Sequence, residues 1–160
     1  MKNMNFIPPK EETIPQINLY MDQLVDYLFQ SLESLRKDDE DRPVITKTMI
    51  NNYVKAGIIE KPLKKRYTKS QIKDLIMISH FKNVLTMEEI AHLFAEKAQF
   101  EEQGGMYSVY YESCKRIKNL FEAGKVIENN PKNVIEAIIL SDLFKQEAKR
   151  FIRLQAKEVQ

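Results

Sequence analysis

The sequence predicts a mainly α-helical protein, on three observations. Glycine is scarce, 4 residues in 160, and Trp is absent, while Lys, Glu, Leu and Ile are abundant. β-Sandwiches and propellers need many Gly-rich turns, whereas straight-chain residues favour helices. Apolar side chains recur at three- and four-residue steps over long stretches, the helical period. Finally, Thr68 with Gln71 and Thr86 with Glu89 have the spacing of capping boxes, which start helices. With 43% apolar and 30% charged residues, the balance is globular rather than disordered.

Taken in chain order, residues 1–15 hold Pro8, Pro9 and Pro15 among polar residues and read as a flexible, extended lead. From Ile17 to about Arg36, one stripe (Leu19/Tyr20, Leu24, Tyr27/Leu28, Leu32/Leu35) marks a first helix. The acidic segment Lys37–Pro43 ends it. A short helix then runs from about Thr46 to Ala56, stopped by Gly57 at the position that favours a left-handed residue. Ile58–Tyr67 is broken by Pro62 and reads as a small β-loop with apolar ends and a basic tip.

The two capping boxes start helices through roughly Asn83 and Lys97. Gly104-Gly105 is the one clear joint. After it, Tyr110, Cys114, Ile117 and Phe121 mark a helix stopped at Gly124. Asn130-Pro131 fits an N-cap followed by proline at the first helical position, and the last helix runs to about Ala156. Eight of its eleven residues over Val134–Phe144 are apolar, too many for a surface helix. It is either the central core helix or one that buries a face in a second subunit. The expected organisation is therefore a lead over 1–15, a main region over 16–100 and a C-terminal helical module over 106–157.

Charge is unevenly placed. The chain is +2 overall, yet Arg42–Lys73 holds nine basic residues and one acid, Glu60. The rest of the chain is therefore acidic, and such asymmetry is the footprint of a nucleic-acid surface. Inside that window the short helix has two unlike faces. Met49, Ile50, Tyr53 and Val54 point one way, and Thr48, Asn51, Asn52 and Lys55 the other. Two adjacent Asn inside so short a helix each cost roughly half a kcal/mol against Ala. Glu, Lys or Gln would serve a merely solvated face better, although one Asn could have a local structural role. Asn can bond adenine through two atoms and Lys can reach guanine. Thr48, Asn51, Asn52 and Lys55 are thus the candidate base readers. Lys47, Lys64, Lys65, Arg66 and Tyr67 are the candidate contacts to the DNA backbone, which position without reading sequence; Tyr67 adds a hydroxyl contact to a phosphate or simply packs.

The run Met49-Ile50-Asn51-Asn52-Tyr53, then Gly57-Ile58-Ile59, Pro62 and Arg66-Tyr67 resembles the DNA-binding domain of MerR-type regulators. The likeness covers about 46–97. It implies a winged helix-turn-helix in which 46–56 is the recognition helix and 60–67 the basic wing. MerR-type proteins carry Arg and an aromatic where this chain has Asn51 and Asn52, so positions transfer but residue types do not. A longer stretch, Ile17–Gln23 with Thr46–Ile59, Pro62 and Lys65-Arg66-Tyr67, resembles an uncharacterised family of small Gram-positive bacterial proteins known only as a domain of unknown function.

Other chemistry is thin. His80, His92 and Cys114 lie on three predicted helices at no ligand spacing, so no metal is expected. Cys114 falls on an apolar stripe and reads as a core residue. No nucleophile-elbow, dinucleotide or phosphate-loop pattern occurs, and neither an enzyme nor a cofactor is expected. Tyr107, Tyr110 and Tyr111 beside the Gly pair either pack between the two halves or line a pocket for a small-molecule effector. A lone cysteine, apolar runs of at most four residues and no apolar stretch in Met1–Lys10 point to a cytoplasmic protein off the membrane.

The expected function is that of a transcriptional regulator binding double-stranded DNA sequence-specifically as a homodimer. The alternative is a non-enzymatic adaptor that binds proteins through the basic loop and the C-terminal apolar helix.

Overall fold

The computed structural model describes residues 6–35, 43–126 and 130–158; most of the expected acidic segment, 37–42, lies outside them. The described chain is mainly helical, with one two-stranded sheet. In order come β1 (Leu19–Tyr20), α1 (Met21–Ser31), α2 (Lys47–Lys55), β2 (Arg66–Tyr67), α3 (Lys69–Phe81), α4 (Met87–Ala95), α5 (Met106–Glu122) and α6 (Val134–Glu158), with short 3₁₀ segments between them.

Local signals set most boundaries. Thr46 caps α2 by accepting the Met49 N–H at 3.2 Å. Thr68 and Gln71 form a reciprocal box at α3, with the Thr68 N–H donating to Gln71 Oε1 at 2.7 Å. Thr86 and Glu89 do the same at α4. The end of α2 closes with Gly57 at φ +74°; Gly57 N–H bonds Val54 O and Ile58 N–H bonds Tyr53 O, both at 3.0 Å. That is a Schellman motif, and its usual apolar partners, Ile58 and Tyr53, are both buried.

Four expectations are corrected by longer-range packing. First, the expected helix over 17–36 begins only at Met21, because Leu19 and Tyr20 leave the helical path to pair with Tyr67 and Arg66. Second, the lead is packed over its described part. Phe6 is 5% exposed and Ile14 1%, Lys73 bonds Glu11 at 2.7 Å, and Tyr107 donates to Pro9 O at 2.6 Å. Third, α6 starts at Val134 rather than after Asn130: Asn133 Oδ1 accepts the Glu136 N–H at 2.9 Å. Glu136 in turn is buried against Arg116 of α5 at 2.5 Å.

Fourth, the most deeply buried helix is α3, which speaks against one of the two readings left open for α6, that of the central core helix. Every residue from Leu75 to Phe81 is buried, while α6 leaves Val134 and Phe144 about half exposed. The polar residues that disguised α3 have internal partners. Ser79 Oγ donates to Leu75 O at 2.7 Å. His80 lies between Tyr110 of α5 (Nδ1 to the hydroxyl, 2.9 Å) and Asp142 of α6 (Nε2 to the carboxylate, 3.2 Å). Beside it Phe81 packs edge-on to Tyr110 at 5.5 Å and to Phe94 at 6.4 Å. One cluster of buried side chains therefore runs from Phe6 to Leu143 across Gly104-Gly105. The core does not divide at that joint.

Candidate nucleic-acid interface

The inner face of α2 anchors it. Ile50 is fully buried and Tyr53 nearly so, which burial reflects in a Tyr53 hydroxyl pushed above its usual range. Thr48, Asn51, Asn52 and Lys55 all face solvent, as the helical period requires. None of these four side chains makes a hydrogen bond or ion pair with a described residue. Met49, placed with the apolar face by the sequence, sits instead on the edge, 37% exposed, with Lys82 Nζ 3.7 Å from its sulfur. Lys47 is exposed but is held by Asp22 at the start of α1.

The wing is built differently from a simple hairpin. Its strand β2 pairs antiparallel with β1, a segment more than 40 residues earlier, with Leu19 opposite Tyr67 and Tyr20 opposite Arg66. The strand's period of two then decides the fate of the Arg-Tyr pair. Tyr67 turns inward and is 2% exposed, so it is a core residue, and its assignment as a backbone contact is withdrawn. Arg66 turns outward, its guanidinium 5.5 Å above the ring of Tyr20.

The basic tip is a tight turn. Arg66 N–H bonds Leu63 O at 3.0 Å, and the two residues between them, Lys64 (φ +50°) and Lys65 (φ +62°), are both left-handed. Positive φ at both central positions is the requirement of a type I′ turn, which Asn-Gly satisfies without strain. In an L-residue with a Cβ the conformation costs roughly 1–2 kcal/mol, so two lysines are held there against preference. Lys55, Lys61, Lys64 and Lys65 are all exposed and form no ion pair among the described residues. The base of the wing is fixed by Gln71, whose Nε2 donates to Glu60 O at 2.8 Å, and by buried Ile59 and Tyr67. Sequence reasoning missed three participants: Tyr20, Asp22 and Leu63, the last 73% exposed beside the lysines. Tyr20 and Asp22 are visible only once β1 is known to pair with β2.

The sequence that builds this site matches a family. A model described as Domain of unknown function (DUF1836) matches residues 9–114. The chain belongs to that family. The matched span takes in β1 through the first half of α5, and so holds the whole α2–wing surface. No curated protein and no solved structure matches the chain.

The remaining expectations sort as follows. Tyr107 and Tyr111 line an open cavity of about 300 Å³ with Lys10, Glu11, Glu112 and Lys115. Tyr110 does not; it is fully buried and bonded to His80. A second cavity of about 320 Å³ lies between Ile58, Gln71, Asp74 and Phe94. In it burial raises the Asp74 carboxyl above its ordinary value despite the Lys97 ammonium 2.6 Å away. Cys114 is buried, and burial pushes its thiol far up, so it is not held as a thiolate. His92 is exposed on α4, apart from buried His80 on α3. Among the described residues no helix is long and apolar enough to cross a membrane.

Proposed function

We propose that this chain is a non-enzymatic, cytoplasmic transcriptional regulator that binds double-stranded DNA sequence-specifically in the manner of a MerR-type winged helix. In this reading α2 lies in the major groove, which is wide enough for a helix. Asn51 and Asn52, flanked by Thr48 and Lys55, meet base edges. Lys64, Lys65 and Arg66 hold phosphates, and Lys47 joins them when it exchanges Asp22 for a phosphate oxygen. One observation carries the reading: four hydrogen-bonding side chains stand together on an anchored helix face, beside wing lysines, with no partner for either among the described residues. No described residue engages either feature, and a duplex would use both.

A second copy completes the arrangement. Val134, Ala137, Ser141 and Phe144 follow one another on α6 at three- and four-residue steps, away from buried Ile135, Ile138 and Ile139, and Val134 and Phe144 are half exposed. That stripe suits a homodimer contact, and two copies read two half-sites about one helical turn apart. An effector, if the regulator takes one, would enter beside Tyr107 and Tyr111.

Selecting fragmented genomic DNA on the purified full chain at near-physiological salt, followed by sequencing, tests this. Enrichment of a few loci that share a short two-fold symmetric site is expected. Retention with no sequence preference removes the base-reading role of α2. No retention at all overturns the proposal in favour of an adaptor.

A further inference from the structure

We propose, building on the DNA-binding reading, that Leu63 at the wing tip seats in the minor groove beside the bases read by α2. The chain then recognises groove shape as well as base identity. A lone exposed apolar side chain is ordinary and needs no explanation. Leu63 differs in its setting. It is 73% exposed, opens the turn that holds Lys64 and Lys65 left-handed, and has Lys61, Lys64, Lys65 and Arg66 within three residues. An apolar point ringed by cations matches a narrow groove with a phosphate rail on each side.

Size selects the groove. The minor groove is about 6 Å wide, too narrow for a helix but open to a side chain, and leucine is among the residues that enter it as wedges. Aim comes from the base of the wing. Pairing of β1 with β2 and the Gln71 bond to Glu60 O fix the strand from which the tip projects. The turn sequence agrees: Asn-Gly would relieve the strain, yet lysines occupy both positions, next to Leu63.

Such a contact favours A·T-rich steps, where the groove is narrow and lacks the guanine 2-amino group. The test uses the full chain and the duplex found by the genomic selection, with base pairs exchanged one at a time. Inosine·cytosine keeps the minor-groove pattern of A·T but changes the major groove. Beside the α2 bases, the contact predicts positions where A·T→G·C weakens binding about tenfold while A·T→I·C changes it less than twofold. Leu63→Ser, at a site too exposed to affect folding, should erase that difference and leave the preference at the α2 bases intact; Leu63→Met should restore it. If G·C and I·C act alike at every position, or if Leu63→Ser keeps the difference, the inference fails while the DNA-binding reading stands. If no duplex binds, both fail. Should Leu63→Ser instead abolish sedimentation with anionic phosphatidylglycerol vesicles and spare DNA binding, the tip belongs to a membrane surface and the inference is overturned.

Discussion

Helices α2 and α3 are neighbours in the chain and opposites in design. In α3 the polar residues that are buried are all partnered: Gln71 to Glu60 O and Thr68, Ser79 to the backbone, His80 to Tyr110 and Asp142. Among the described residues no buried side-chain nitrogen or oxygen lacks a hydrogen bond. In α2 Lys47 is held by Asp22, but Thr48, Asn51, Asn52 and Lys55 are exposed and partnered by nothing described, and the turn beyond them is strained. Buried polar groups must be satisfied or they cost free energy. Exposed ones need not be, so their identity is free for another purpose. The contrast teaches where to look: α3 holds the fold from inside, and the polar groups that no described residue engages stand together on α2 and the wing.

That contrast can be broken by substitution. The largest effect is expected at Phe81, fully buried between Tyr110 and Phe94. Phe81→Ala should cost about 3–5 kcal/mol, read from denaturant unfolding with the slope unchanged. Full stability in that variant would move the core elsewhere.

Next comes Asp142. Burial acts to raise its carboxyl, but the bonds and charge of His80, with bonds from Gln146 and Asn83, together outweigh it and hold the carboxyl below its ordinary value. A carboxyl lowered in the folded state binds fewer protons there than in the unfolded chain. Its contribution is therefore present at neutral pH and is lost as pH falls through the acid range. Asp142→Asn should cost about 1–3 kcal/mol at pH 7 and progressively less at acid pH. A loss that does not vary with pH would remove the charge from this account.

At the wing the sign reverses. The double substitution Lys64→Asn with Lys65→Gly relieves the left-handed pair and should stabilise the fold by about 1–2 kcal/mol. The same change should weaken every duplex alike and reduce the slope of log affinity against log salt by about two. Loss of stability there would mean that the lysines serve the fold. Smallest is the cap: Thr46→Ala should cost about 1 kcal/mol in thermal unfolding, and by fraying the start of α2 should lower affinity without changing which site is preferred.

Legibility in the sequence followed range. The boxes at Thr68 and Thr86 and the stop at Gly57 are local chemistry, and they lie where the spacing placed them. The α2 face was legible too, because a period of 3.6 sorts Asn51 and Asn52 from Ile50 and Tyr53 without any tertiary knowledge. Apart from the start of α6, set locally by Asn133, the misreadings involve distant partners. Tyr20 continues an apolar stripe in sequence, yet it pairs with Arg66. In the sequence His80 has no role beyond lacking a metal spacing, because Tyr110 and Asp142, which satisfy it, lie 30 and 62 residues away. For the tyrosine of the Arg66-Tyr67 pair a phosphate contact and simple packing both stay open in the sequence, because its inward turn follows from a strand only two residues long. Phe6 and Ile14, set among prolines, gave no periodic signal, yet both are buried and Phe6 packs edge-on against His80 of α3.

The central claim is that the outer face of α2 serves a duplex and not the fold. Its most direct test is the Asn51→Ala, Asn52→Ala variant, followed by thermal unfolding and by affinity for the selected site and for a random duplex. Ala is the better helix former, so unfolding should stay level or rise slightly. Preference for the selected site should fall by about 1–3 kcal/mol per base contact, with random-duplex binding unchanged. An unfolding midpoint that drops sharply, or a preference that survives intact, would contradict the claim.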